Sequence, residues 1–448
     1  MSQPNFAGLA GGLSLLGLLA ASSVHGQGLG NSPYSRLGLG DASSNLGGVR
    51  QMSMGGVGIA APNNVNVNEL NPALLYYTSR TTFEAGYAGQ FKTLRNSVSS
   101  QRTGSANLNY LALSVPISGR VAGAIGLKPY STVDYESNTT SSIEGDPTSL
   151  AQNQYKGSGG LAEAYMSQAL RLAKGVTLGA SVGYVFGSID QQAGTVVFNS
   201  TSTTQNSDRN IFLQHVHYSD FTFRGAAHYR GKLNDKVNFN VGGVYSFQSN
   251  LNGERTTSLN RETIEGVAIS SQALETDVKG KATVPALTQV GISLDNNKNW
   301  SLSLDGSRQE WSKFRAFGDA GGSSGVLLSD TYRVGLGGEL TPDATSVDSY
   351  FKRVTYRAGL NVAQMPYRPG GNTLYDRSVS WGFAFPLPTA TSLEATTISL
   401  GFQYGQRGNT DSRNLPSGTI ERNVKEDYVR MQLGVTLNNR WFLKRKIE

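Results

Sequence analysis

His215 and His217 in "QHVHY" are the first residues of this 448-residue chain whose types and spacing could do chemistry. Two imidazoles at that spacing point to the same side of an extended segment and could share a metal ion, but no third ligand lies nearby in sequence. The chain holds four histidines, one of them in a leader-like stretch, and no cysteine. Thiolate metal centres, disulfides and a cysteine nucleophile are therefore excluded. No local Ser-His-Asp hydrolase motif occurs. "RLGLGD" (Arg36 to Asp41) is glycine-rich but lacks the flanking strand and helix of a phosphate-cradling loop. The reading is no enzyme, no metal and no cofactor, with His215 and His217 as polar residues at a loop–strand junction.

The elements around them explain that silence. Charged residues make up 16% of the chain and hydrophobic ones 38%, both low for an ordinary soluble globule, while 54 glycines accompany abundant Ser, Thr and Asn. This mixture suits short strands and polar loops rather than a helical enzyme core. The net charge of +7 does not mark a nucleic-acid binder, because Lys and Arg are scattered singly apart from Lys444-Arg445-Lys446. Residues 1–27 read as an export signal, with the apolar run "AGLAGGLSLLGLLA" before "ASSVHGQG", although "MSQPNF" supplies no Lys or Arg. Beyond it no run of about 18 apolar residues occurs, so any membrane crossing must be made by strands.

From about residue 80 the chain alternates with period two. In "VTLGASVGYVF", Val176, Leu178, Val182, Tyr184 and Phe186 share one face and Thr177, Gly179, Ser181 and Gly183 the other. "VTYRAGLNV" opposes Val354, Tyr356, Leu360 and Val362 to Arg357, Gly359 and Asn361. Fourteen such segments centre near residues 85, 110, 124, 166, 181, 225, 242, 289, 304, 335, 358, 382, 400 and 433. Short links (116–120, 173–175, 231–235, 295–299, 341–350, 386–392) alternate with long polar segments (91–105, 129–158, 188–214, 248–280, 312–328, 363–375, 406–424). An even strand count with loops sorted by length is the plan of an outer-membrane barrel, with lipid outside and a polar lumen. The expectation is an all-β, fourteen-stranded antiparallel transmembrane barrel over residues 80–448, both termini periplasmic. The last strand closes on Trp441-Phe442 and resembles the signal read by barrel-assembly machinery.

Residues 28–79 do not alternate. Their size and their Gly, Asn and Pro content fit a compact irregular plug inside the barrel. Here "RQMSMGGVGIA" and "NVNELNPALLYYTSRTTFEAGY" resemble the N-terminal region of the FadL/TodX family of outer-membrane transporters for long-chain fatty acids and aromatic hydrocarbons. The pattern maps to Gly55-Gly56 and Asn71-Pro72-Ala73; acidic residues common between them in that family give way to "PNNVNVN", leaving Glu69. The resemblance implies a fourteen-stranded barrel closed by an N-terminal hatch, and a kinked third strand that opens a lateral path. Gly123, Gly126 and Pro129 in "RVAGAIGLKPYS" are the matching positions for the kink, since glycine and proline weaken ladder pairing. The expected function is uptake of small hydrophobic molecules across the outer membrane of a Gram-negative bacterium. The alternative is a non-transporting scaffold for protein secretion or surface-protein attachment, as in Bacteroidota relatives whose style "NSPYSRLGLGD" resembles; its partners would be other outer-membrane or secretion proteins.

Overall fold

The computed structural model describes residues 32–42, 46–143, 145–199, 208–263, 266–318, 328–388, 394–414 and 420–439. The leader 1–27 and the pair Trp441-Phe442 lie outside the described residues. The strands are β1 (Thr81–Arg95), β2 (Ser100–Pro116), β3 (Val121–Ile143), β4 (Asp146–Ala173), β5 (Val176–Asn199), β6 (Arg209–Lys232), β7 (Asn238–Ser246), β8 (Ser249–Glu262) and β9 (Ala268–Val284). They continue with β10 (Leu287–Asp295), β11 (Trp300–Gln309), β12 (Thr331–Leu340), β13 (Thr355–Gln364), β14 (Tyr375–Leu387), β15 (Glu394–Arg407), β16 (Ser412–Asn414), β17 (Ile420–Arg422) and β18 (Lys425–Asn439).

Antiparallel pairing runs from β1 to β7, across to β10, on through β15 to β18, and back to β1. That circuit is a closed barrel of fourteen strands, and each of the fourteen segment centres read from the sequence falls in one of them. β8 and β9 prolong β7 and β10 past the circuit as a hairpin that pairs with the outer half of β6.

The barrel is inverted relative to a soluble protein. Phe83, Tyr87, Val182, Tyr184, Leu336, Val379, Trp381 and Met431 stand exposed on its outer face, while Glu84, Gln90, Lys92, Arg357, Gln403, Arg430 and Gln432 are buried inside. A lipid-facing exterior rewards the first set and a protein-filled lumen houses the second. β7, β10, β11, β12 and β13 are nine or ten residues long, the length that crosses the hydrocarbon layer at a tilt.

The structure differs from the expectation of long loops. Much of 91–105, 129–158, 188–214 and 248–280 is strand, and β3 to β6 run 23, 28, 24 and 24 residues. Outside the bilayer the rule for the two faces reverses, so the lipid-face alternation stops while the ladder continues. Leu39, Val133, Tyr135, Leu161, Val185, Ile189, Val216, Tyr218 and Leu251 form an apolar cluster on the inner side of this extension. It is an ordinary water-soluble sheet built on a membrane barrel.

The wall is not uniform. β2 and β3 pair only from Pro116–Ala122 to Leu111–Leu127, although β2 starts at Ser100 and β3 runs to Ile143. Beyond that point β2 and β3 no longer pair with each other, and the β3–β4 register shifts between Pro129 and Ser131.

Candidate functional site: the lumen and its N-terminal segment

Residues 46–80 lie inside the barrel, and glycines on both sides make that possible. Gly55 and Gly56 adopt φ of 71° and 72°, the left-handed region that glycine enters without strain. A Cβ added to Gly55 would meet the Leu360 carbonyl oxygen at 2.6 Å. On the lumen face of the wall, a Cβ at Gly337 would stand 2.0 Å from the Met54 oxygen, and one at Gly242 would stand 2.2 Å from the Ile59 oxygen. At Gly179 it would lie 2.2 Å from the Ala73 nitrogen. The inward glycines are the seat of the segment.

Charged anchors fix it there. Arg50, in the short helix Val49–Ser53, places Nη2 2.6 Å from Glu339 Oε1, and Arg357 Nε reaches Glu339 Oε2 at 3.1 Å. Asp305 Oδ2 accepts from the backbone N–H groups of Gly58 (2.7 Å) and Ile59 (2.9 Å). Arg333 donates to the Gly55 carbonyl at 2.8 Å and to Asn361 Oδ1 at 2.6 Å. Such pairing is what irregular backbone at membrane depth requires.

The stretch Asn68 to Ala73 is a hydrogen-bonded knot. Asn68 Oδ1 accepts from the N–H groups of Leu70 and Asn71, each at 3.0 Å. Asn71, fully buried, donates Nδ2 to the Ile59 carbonyl at 2.6 Å and accepts from the Ala73 N–H at 2.9 Å, capping the 3-10 turn Pro72–Tyr77. Asn71→Ala would strand a buried carbonyl and a buried N–H, at about 1–3 kcal/mol. The expected outcome is faster proteolysis within residues 46–80 in mild detergent, with the heat-modifiable gel shift of the barrel unchanged.

A second part of the segment, residues 32–41, takes over the β3 edge that β2 leaves. Asp41 N–H donates to the Thr132 carbonyl at 2.8 Å, Thr132 N–H returns to Asp41 at 3.1 Å, and Ser32 N–H reaches the Asp134 carbonyl at 2.7 Å. Its far side is tied to the opposite wall by Arg407 Nη1–Asp41 Oδ2 at 2.7 Å, by Ser32 to Glu426, and by Tyr34 to the Val424 carbonyl. Burial first, then the Glu426 carboxylate, raises the Tyr34 phenol above its ordinary range, while Arg407 opposes them; the hydroxyl stays a donor.

Between this strap and the connection at Trp311–Lys313 lies a cavity of about 380 Å³. Leu37, Leu39, Phe247, Pro285, Trp311 and Phe314 give it apolar walls; Lys128, Glu163, Arg224, Arg333, Asp376 and Arg407 form its charged side. Predominantly apolar lining with a few convergent polar groups is the usual form of a small-molecule pocket.

The structure places Gly55 and Gly56 against Leu360 of β13 and Arg333 of β12, and Pro72 and Ala73 against Gly179 of β5, with Asn71 bonded to Ile59. Gly123 pairs with Val115 and Gln168, Gly126 with Ala112 and Tyr165, and Pro129 with Ala162 beside the register shift. His215 and His217 stand apart from the cavity, Nδ1 of the first 2.7 Å from Asp190 and of the second 3.1 Å from Ser188. Glu339, Asp305 and Arg333 escaped the sequence reading. The available signal was a charge at a lumen position of a membrane strand, which must find a partner.

These features define a class: a transmembrane β-barrel of the outer-membrane type with the FadL-like fold. Among solved structures, the CymD monoaromatic hydrocarbon channel aligns at a TM-score of 0.54 with 17% identity, over 89% of this chain and 100% of its own. A Pseudomonas aeruginosa FadL homologue gives 0.56 and 14% over 88% and 98%, and the P. putida toluene transporter TodX gives 0.53 and 15% over 88% and 98%. No curated protein matches in sequence. The sequence profile of the BamG family matches residues 13–448, and the chain belongs to that family.

Proposed function

We propose that this protein is an outer-membrane channel for uptake of small hydrophobic molecules, such as long-chain fatty acids or aromatic hydrocarbons. The observation that carries the reading is the amphipathic cavity held between the N-terminal segment and the outer connections. Each methylene moved into it from water contributes roughly 0.8 kcal/mol. Residues 28–79 act as the hatch and 80–448 as the wall, with short turns and both chain ends periplasmic. Ligand binding shifts the hatch at Gly55, Gly56, Asn71, Pro72 and Ala73. The β2–β3 separation beside Gly123, Gly126 and Pro129 then serves as a lateral path once residues 32–41 move. The fold shared with a monoaromatic hydrocarbon channel and a toluene transporter supports this reading. Cells lacking the gene should take up labelled toluene or oleate more slowly and recover with the plasmid-borne gene; equal rates would sink it.

A second reading rests on the strand extensions beyond the membrane, where β9 exposes most of both faces. Such a surface suits a scaffold for secretion or surface-attachment proteins. Purification in mild detergent with proteins and lipids identified together separates the two: stoichiometric protein partners with no bound lipophile favour the scaffold.

A further inference from the structure

The β6 ladder is interrupted where the membrane ends. β6 pairs with β7 from Lys232–Asn238 up to Arg224–Ser246, and with β8 only from Tyr218–Gly253 onward. Between them residues 219–223 face residues 247–252, one residue more on the second side. Across the interruption Phe247 N–H donates to the Phe223 carbonyl at 3.0 Å, and the Asp220 carboxylate accepts from Asn252 Nδ2 at 2.6 Å. The next ladder is interrupted at the same level, between Val284 and Leu287, where Pro285 has no N–H to offer. β7 and β10 are nine residues each, so this level is the outer boundary of the hydrocarbon layer.

Unpaired backbone at membrane depth is tolerated only where it is buried in protein or lines a water-filled cavity. Phe223, Phe247 and Pro285 line the cavity described above, and Phe223 and Phe247 are each 53% exposed. Residues 223 and 247 thus belong both to the cavity wall and to the exposed aromatic set. Around them the surface is aromatic: Tyr245 packs edge-on to Phe247 at 4.9 Å, and Phe221 lies 5.1 Å from Tyr184. The β2–β3 separation, by contrast, has the β3 edge occupied by Ser32 and Asp41.

We propose that the β6–β8 interruption is a second side doorway, through which small aromatic or alkyl molecules pass between the cavity and the outer leaflet. This rests on the uptake reading. A lipophile taking this route passes the aromatic rings at 223 and 247, and the Phe247–Phe223 backbone bond with the Asp220–Asn252 contact must open with them to admit it.

Because the chain has no cysteine, Phe247→Cys provides a single thiol for a bulky maleimide. Labelling is expected to reduce uptake of radiolabelled toluene to the background of cells without the protein, whereas the same label on Val379→Cys of β14 leaves it intact. Separately, an alkyl diazirine dissolved in vesicles holding the unmodified protein should form adducts at residues 221–223 and 247 as well as inside the cavity. Uptake insensitive to the label, with adducts absent from the interruption, overturns the doorway and leaves the uptake reading standing. No uptake by the unmodified protein, with adducts running through the interruption, overturns uptake instead and leaves a lipid-accessible doorway.

Discussion

Glu339→Gln is expected to free the N-terminal segment from the barrel while the barrel itself stays closed. Its carboxylate is shared by two guanidiniums, Arg50 of the segment and Arg357 of β13, and all three side chains are nearly inaccessible to water. Arg50 has a further tie, Nη1 to the Ala61 carbonyl at 3.3 Å, but that is a neutral acceptor. Neutralising the shared carboxylate leaves two buried cations facing one another, a loss of about 3–5 kcal/mol for a broken buried pair. The wall pays none of this through its ladder, because β12 pairs with β11 and β13 by backbone bonds. Limited proteolysis in detergent should cut within residues 46–80 of the variant and spare them in the parent, with the heat-modifiable band of the folded barrel retained. A double variant, Arg50→Met with Glu339→Leu, removes both charges of that contact but leaves Arg357 without its partner, and should recover part of the loss. An unchanged cleavage pattern in Glu339→Gln would refute the anchoring role.

Gly359→Val is expected to expel the same segment by volume rather than charge. A Cβ there would stand 2.1 Å from the Met54 carbonyl carbon and 2.3 Å from the Gly55 nitrogen, and both are backbone atoms that no rotamer change can move. Met54 is itself completely buried, so the segment has nowhere to slide. Overpacking of this kind costs about 1–3 kcal/mol where neighbours can yield, and more where they cannot. Valine meanwhile suits a strand better than glycine does, so β13 should not weaken. The prediction is a barrel of unaltered gel mobility with a protease-sensitive N-terminal segment and raised single-channel conductance in planar bilayers. Conductance equal to the parent's, with the segment still protected, would show that the backbones do not approach so closely.

Both substitutions concern residues whose types were visible but whose roles were not. Gly359 and Arg357 lie in "VTYRAGLNV" on the face read as lumenal, which is correct as far as alternation reaches. Arg50 and Glu339 are separated by 289 residues, and no local pattern joins them. The extensions of β3 to β6 were hidden for a different reason. Part of their apolar set is buried in a cluster, as in a soluble sheet, so Val185 and Ile189 are buried while Tyr184 and Phe186, close by in the chain, are exposed. One strand obeys two solvents in succession, and a single period-two rule loses the signal where they meet.

By itself the sequence determined the number and placement of the fourteen wall strands, because lipid on one side and polar groups on the other impose alternation residue by residue. It also marked residues 28–79 as irregular, through glycine, asparagine and Pro72. What only the tertiary structure decided was the closure of β18 on β1, the seating of the segment against Gly337 and Gly359, and the interruption between β6 and β8. Each of these depends on backbone brought together across long stretches of chain, where contact distance rather than residue type determines the energy.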